Sequence, residues 1–216
     1  NSGRRQRQMC IRDRYRGGLL FEIDKVQHRK IAISKRRKIY EALHHEEYAK
    51  RITHFFHEWI SGQKSVFVVA LYHPINSEIN PLSLIEYLDT KNKTICLPMV
   101  VNKKQPLIFK PWRPGKKMVI GHYGISVPDN DQTLIPDLII CPLLAYDSKG
   151  MRLGYGGGFY DRTIKYLRRN KQVKYIGLAF SGQKSYHDLP SEVHDVPLDA
   201  VLTCLLYTSD AADDRN

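Results

Sequence analysis

The stretch Arg152-Leu-Gly-Tyr-Gly-Gly-Gly-Phe-Tyr-Asp161 carries the side chains and spacings best suited to chemistry. Four of its residues within five positions (154, 156, 157 and 158) are glycine. They follow an apolar run from Leu138 to Ala145 and precede a helical pattern over 159–167. A glycine turn between strand and helix lets backbone N–H groups converge on an anion with no Cβ in the way. The helix N-terminus adds partial positive charge. Arg152 and Arg162 bracket the turn with permanent cations, and Asp161 can hold a divalent metal. The segment reads as a phosphate cradle, with a nucleotide as its natural guest. It is no Walker loop, because no Gly-Lys-Ser/Thr follows, and no dinucleotide fingerprint, because Phe159 stands at the third glycine position. A ligand-free strand-to-helix turn is the alternative that the loop alone leaves open.

The run from Pro142 to Asp161 resembles the signature of the 5-formyltetrahydrofolate cyclo-ligase family, also called methenyltetrahydrofolate synthetases. Other segments fall in that family's order: Lys25-x-x-x-Arg29, Tyr72-His-Pro-Ile-Asn-Ser-Glu-Ile79, Tyr123-Gly-Ile-Ser-Val-Pro128 and His194-Asp-Val-Pro-Leu-Asp-Ala-Val-Leu-Thr203. The likeness covers roughly residues 20–203. It implies ATP- and Mg²⁺-dependent conversion of 5-formyltetrahydrofolate to 5,10-methenyltetrahydrofolate. ATP activates the formyl oxygen, N10 closes the ring, and ADP and phosphate leave. A non-catalytic nucleotide- or folate-binding protein of the same fold is the alternative.

The resemblance also assigns residues. Lys25, Arg29, Arg152, Leu153, Gly154, Tyr155, Gly156, Gly157, Gly158, Phe159 and Tyr160 are expected around ATP. Glu78, Tyr123, Tyr155, the glycines 156–158 and Phe159 are expected around the folate. Arg152 and Tyr160 are the expected catalytic pair, and Asp161 and Asp195 the expected magnesium carboxylates. Local chemistry offers plainer readings beside these. Lys25 and Arg29, four apart, share a helix face and can be a basic patch. Asp161 suits the first turn of a helix, Glu78 leads a helix that starts near Pro81, and Asp195 suits a turn before Pro197. Tyr155, Gly157 and Phe159 depart from relatives that carry basic residues or a second tyrosine there.

These groups need elements to hold them. Val26, Ile33, Tyr40 and Leu43 recur at helical spacing over 24–43. A second helix is predicted over 46–60 with Tyr48, Ile52, Phe55, Phe56 and Trp59 inward, ended by Gly62. A third starts at Pro81 and carries Leu84, Ile85 and Leu88. Strands are predicted at 65–71, 94–98, 107–111, 138–141, 173–180 and 200–203, the third of them in a hairpin. The alternation predicts one α/β domain with three layers, α/β/α, around a largely parallel sheet. The resemblance adds a CoA-transferase-like architecture. Glycine loop and acidic loop should then meet beyond the carboxyl ends of the strands.

The chain has 216 residues, 42% of them hydrophobic, and a formal net charge of +12. One domain, residues 19–203, is expected. Residues 1–18, with six arginines, and residues 204–216 look foreign to it and read as artefactual or disordered tails. With both set aside the rest is still basic, which suits ATP and a folate, polyglutamylated or not. No basic stripe interleaved with aromatics points to nucleic acid, and no apolar stretch reaches membrane-spanning length. Lys35-Arg-Arg-Lys38 reads as a solvated helix face. Four cysteines without a CxxC pair suit a reducing compartment, and the expected setting is a monomer in the cytoplasm, with an organelle as the alternative. The nine histidines show no zinc spacing.

Overall fold

The computed structural model describes residues 24–63, 65–204 and 207–208; the predicted tail 1–18 lies outside them. In chain order the elements are α1 (Lys25–Ala42), α2 (His45–Ser61), β1 (Val68–Ala70), α3 (Leu82–Thr90), β2 (Thr94–Met99), β3 (Ile108–Pro111), β4 (Met118–Ile120) and β5 (Ser126–Pro128). Then follow β6 (Leu138–Pro142), β7 (Ala145–Tyr146), β8 (Arg152–Leu153), α4 (Phe159–Leu167), β9 (Lys174–Leu178), β10 (Ala200–Leu202) and β11 (Tyr207–Thr208). The main sheet has seven strands in the order β11-β10-β9-β6-β1-β2-β3. Its five central strands run parallel, and β11 and β3 pair antiparallel at the edges. The α/β class and the largely parallel sheet expected from the sequence are what the chain adopts.

The central strands read as unbroken apolar runs because both of their faces are covered. Along β6, Leu138 and Ile140 pack with Ile52 and Phe56 of α2 and Leu84 and Leu88 of α3. The alternate residues Ile139 and Cys141 face the other way, onto Ile164 and Leu167 of α4. In α2 the buried side chains are Tyr48, Ile52, Phe56 and Ile60, each four residues from the last, so they form one stripe. Phe55 and Trp59, expected inward, sit partly buried at the edge of that stripe.

In α1 the structure corrects part of the expected face. The helix starts where Asp24 accepts a hydrogen bond from the Gln27 amide at 2.8 Å, an N-cap. Its buried residues are Ala32 and Arg36, whereas Val26 and Ile33 are exposed. Tyr40 and Leu43 do pack against the core, so the apolar repeat misleads only in its first half, where a paired arginine and not an apolar side chain occupies the middle of the buried face. Two hairpins were also unforeseen, β4 with β5 and β7 with β8. At the far end, Cys204 packs into the core and β11 pairs with Val201 and Leu202, although Cys204 and β11 belong to the segment read as a tail.

The topology creates one crevice. From β1 the chain passes through α3 to β2 on one side, while β6, the other parallel neighbour of β1, lies on the opposite side. Such a switch leaves room beyond the carboxyl ends of the two strands, where open α/β sheets bind ligands.

Candidate active site

That crevice is a cavity of about 730 Å³. Its walls come from the loop after β1 (Tyr72, His73, Ile75, Glu78), from Pro142 at the end of β6, and from the glycine segment 152–161. Lys25 and Arg29 of α1 contribute, as do Tyr123 in the β4–β5 turn and Asp195 before β10. Every site residue expected from the sequence therefore lines one cavity. The same walls hold residues that the sequence reading missed, among them Tyr72, His122, Glu192 and His194.

The glycine segment is shaped by backbone conformations that other residues rarely adopt. Gly156 has φ 97° and Gly158, at the N-cap of α4, has φ 62°. A Cβ at Gly156 would also stand 3.2 Å from the guanidinium carbon of Arg29. The carbonyls of the segment turn toward arginines: Arg29 Nε donates to Gly154 O at 3.0 Å and Arg162 Nη2 to Gly157 O at 2.8 Å. Among the described residues, the N–H groups of 155–158 donate to no protein acceptor. Free amides, two arginines and the start of α4 make an anion cradle.

The charged groups beside the cradle are paired with one another. Arg152 Nη2 donates to Asp161 Oδ2 at 2.8 Å, and its Nε donates to the Tyr175 hydroxyl. Its guanidinium lies 5.7 Å and 5.6 Å from the ring centres of Tyr160 and Tyr175. Asp161 Oδ1 accepts from the Val196 amide at 3.0 Å. Across the mouth, Lys25 Nζ reaches Asp195 Oδ2 at 2.6 Å and Glu192 Oε1 at 3.1 Å. Burial works to raise the Asp195 carboxyl, but the Lys25 hydrogen bond, the Glu192 amide and the charges of Lys25 and His194 together hold it below the usual carboxylate value.

Among the described residues no group of three or more His, Cys, Asp or Glu could hold a metal ion. Magnesium carried by a nucleotide needs less, one or two carboxylates beside phosphate oxygens. Asp195 Oδ1 has no hydrogen-bond partner among the described residues, whereas both Asp161 oxygens are engaged. The donor set thus fits a cation that arrives with phosphate, not a cage built by protein alone.

Glu78 sits in the opposite environment, its side chain only 3% exposed. Oε2 accepts from the Ile75 amide at 2.9 Å, and Arg36 Nη1 stands 3.9 Å from Oε1. Burial pushes its carboxyl up to about 7, against the pull of the Ile75 amide and Arg36. Nearby, burial also holds the Tyr160 hydroxyl protonated, far above its ordinary value. Tyr123 is exposed, has φ 60°, and meets the Phe159 ring edge-on at 6.0 Å. One end of the cavity therefore sets paired cations and carboxylates beside free backbone amides. The other offers a buried acid among aromatic rings.

The profile of the 5-formyltetrahydrofolate cyclo-ligase family matches residues 23–204. The chain belongs to that family. It is 38% identical over 146 residues to the 5-formyltetrahydrofolate cyclo-ligase of Haemophilus influenzae, covering 65% of this chain and 77% of that one. The cyclo-ligase of Mycolicibacterium smegmatis is 31% identical over 189 residues, covering 83% of this chain and 93% of that one. Among solved structures, the 5,10-methenyltetrahydrofolate synthetase of Aquifex aeolicus superposes with a TM-score of 0.67 at 27% identity, covering 85% of this chain and 91% of that one. The synthetase of Mycoplasma pneumoniae gives 0.63 at 25% identity, over 84% and 99%. As a cyclo-ligase family member the chain is a ligase that forms a ring C–N bond. None of its described helices is long and apolar enough to cross a membrane.

Proposed function

We propose that the chain converts 5-formyltetrahydrofolate to 5,10-methenyltetrahydrofolate with consumption of ATP, releasing ADP and phosphate. The observation that carries this reading is the shared cavity, which joins an anion cradle to a buried acid flanked by aromatics. The formyl oxygen attacks the γ-phosphorus, and the bond from that phosphorus to ADP breaks. N10 then attacks the activated carbon and loses its proton, the carbon–oxygen bond breaks, and phosphate leaves. Such transfers need alignment and charge neutralisation more than a protein nucleophile.

Lys25, Arg29, Arg152 and the backbone from Leu153 to Gly158 hold the nucleotide. Arg152, with its fork fixed by Asp161 and Tyr175, aligns the transferred phosphoryl group. Tyr160 stays a neutral donor and hydrogen-bonds the group being transferred. Glu78 accepts from pterin N–H groups, and Tyr123, Tyr155 and Phe159 flank the ring. Magnesium, when bound, supplies charge neutralisation on the phosphates, and Asp195 and Asp161 are the carboxylates that would hold it. Free buried Cys96, Cys141 and Cys204 support a reducing, cytoplasmic setting. We take the chain to act as a monomer, and its basic charge, which remains when both tails are set aside, supports acceptance of polyglutamylated folate.

The test is direct. Purified chain is mixed with 5-formyltetrahydrofolate and MgATP, and the near-ultraviolet band of the methenyl product is followed. The band should grow only when ATP and Mg²⁺ are both present. A folded protein that yields no band, or that yields it without ATP, would refute the reading.

A further inference from the structure

The helix α1 contributes a residue that none of these roles includes. Arg36 is 1% exposed, among the largest fully buried side chains of the described chain. Its Nε donates to Ser77 Oγ at 3.2 Å, its Nη1 to the Leu143 carbonyl at 3.1 Å, and its Nη2 to the Tyr155 hydroxyl. Nη1 also stands 3.9 Å from Glu78 Oε1. One guanidinium thus ties α1 to the loop after β1, to the end of β6 and to the glycine segment. Glu78 and Tyr155 line the cavity, while Arg36 stands behind the wall they form.

Burying a guanidinium costs several kcal/mol unless it is paired and its N–H groups are satisfied, and an apolar side chain of like volume would serve packing at least as well. The cation needs another reason to be there. Glu78 supplies one. It is an acid buried at the same depth, and Arg36 is the cation that acts on it. Tyr72, after β1, and Tyr160, on α4, also act electrostatically with Glu78, but both are held neutral by burial. A lysine could bring charge, but only a planar fork reaches Ser77, Leu143 and Tyr155 together.

We propose that Arg36 is the positioning residue of the folate end: it sets Glu78 and Tyr155 in register with each other and keeps Glu78 available as an acceptor for the pterin. The proposal rests on the reading that these two residues meet the folate.

Steady-state kinetics and thermal melting of wild type, Arg36→Gln, Arg36→Lys, Glu78→Gln and the Arg36→Gln/Glu78→Gln double variant test it. Arg36→Gln should raise the folate KM by about tenfold or more while the ATP KM moves by less than about twofold. Arg36→Lys should fall between wild type and Arg36→Gln. The double variant should lose less than the product of the single losses, because the two side chains act as a pair. A folded Arg36→Gln protein with an unchanged folate KM overturns the proposal. So does an equal rise in both KM values, the sign of general structural damage, or a double variant whose losses multiply. If Arg36→Gln does not fold, the same comparison of KM values in Arg36→Lys decides. A wild-type chain that makes no methenyl product would sink the proposed function instead. The affinity of the same variants for 5-formyltetrahydrofolate, by calorimetry, would then decide the role of Arg36.

Discussion

The two ends of the cavity treat a carboxylate in opposite ways. At the mouth, Asp195 is held below its usual value because Lys25 and the Glu192 amide outweigh burial. At the inner end, Glu78 is raised to about 7 because burial outweighs the Ile75 amide and Arg36. The side-chain chemistry is the same, and the surroundings decide. A carboxylate held ionised by its neighbours suits cations and the phosphates they accompany. A carboxyl near neutrality, deep and fixed, suits hydrogen bonding to a heterocycle with both N–H and C=O groups. On the proposed function, the comparison accounts for one cavity taking two unlike substrates, and it can be broken at either end.

The largest effect is expected from Asp161→Ala. It strips the partner from Arg152, whose side chain is only 7% exposed, and leaves a buried charge unpaired. Turnover should fall by about a hundredfold or more, since the proposed roles of Asp161 in fixing Arg152 and in holding magnesium would both be lost, and the melting temperature should drop. Full turnover in this variant would remove Asp161 from the nucleotide end altogether. A smaller loss is expected from Arg152→Lys. An ammonium cannot bond Tyr175 and Asp161 as a fork does, so the ATP KM should rise about tenfold and kcat should fall. If the folate KM rose equally, the division into two ends would not hold.

Much of this arrangement is legible in the amino-acid sequence. The predicted helix 159–167 is α4, and the predicted run 138–141 lies within β6, because glycine punctuation and unbroken apolar runs are strong local signals. The glycine segment 152–161 is legible from its own residues as an anion cradle, whereas Lys25, Glu78 and Asp195 are legible as lining residues only through family resemblance, since local sequence leaves each a plainer role. Arg36 is hidden for a physical reason. It stands in Lys35-Arg-Arg-Lys38, where Lys35, Arg37 and Lys38 are indeed exposed, and periodicity counts any arginine as outward. Its burial depends on Ser77, Leu143 and Tyr155, all distant in sequence. The β4–β5 hairpin escapes notice because its strands are three residues each, too short to show an alternation.

Glu78→Gln probes the inner end through pH. The folded carboxyl titrates near 7 and the unfolded one near 4.5, so between those values the folded chain binds the extra proton. Wild-type stability should therefore fall as pH rises through that window and level off above it, by about 3 kcal/mol at most. A glutamine carries no such penalty. The melting temperature of Glu78→Gln relative to wild type should be higher at pH 8 than at pH 5. The same difference at both values would show that Glu78 is not held near neutrality.

Lys25→Ala gives the smallest effect and the opposite sign of pH dependence. The Lys25–Asp195 pair is partly buried, with side chains 16% and 18% exposed, so its Coulomb gain is offset by desolvation and its net contribution to stability should be small. Because Asp195 is depressed in the folded chain, that contribution is present above the ordinary aspartate value of 3.8 and is lost as pH falls through the folded value. Wild type should thus melt slightly above Lys25→Ala at pH 6, with the gap closing on strong acidification. In the assay the ATP KM should rise several-fold and the folate KM should hold, since the partners of the Lys25 ammonium among the described residues are Asp195 and Glu192, not Glu78. A gap that widened in acid would mean that Asp195 behaves like Glu78, and the contrast between mouth and interior would then fail at its simplest point.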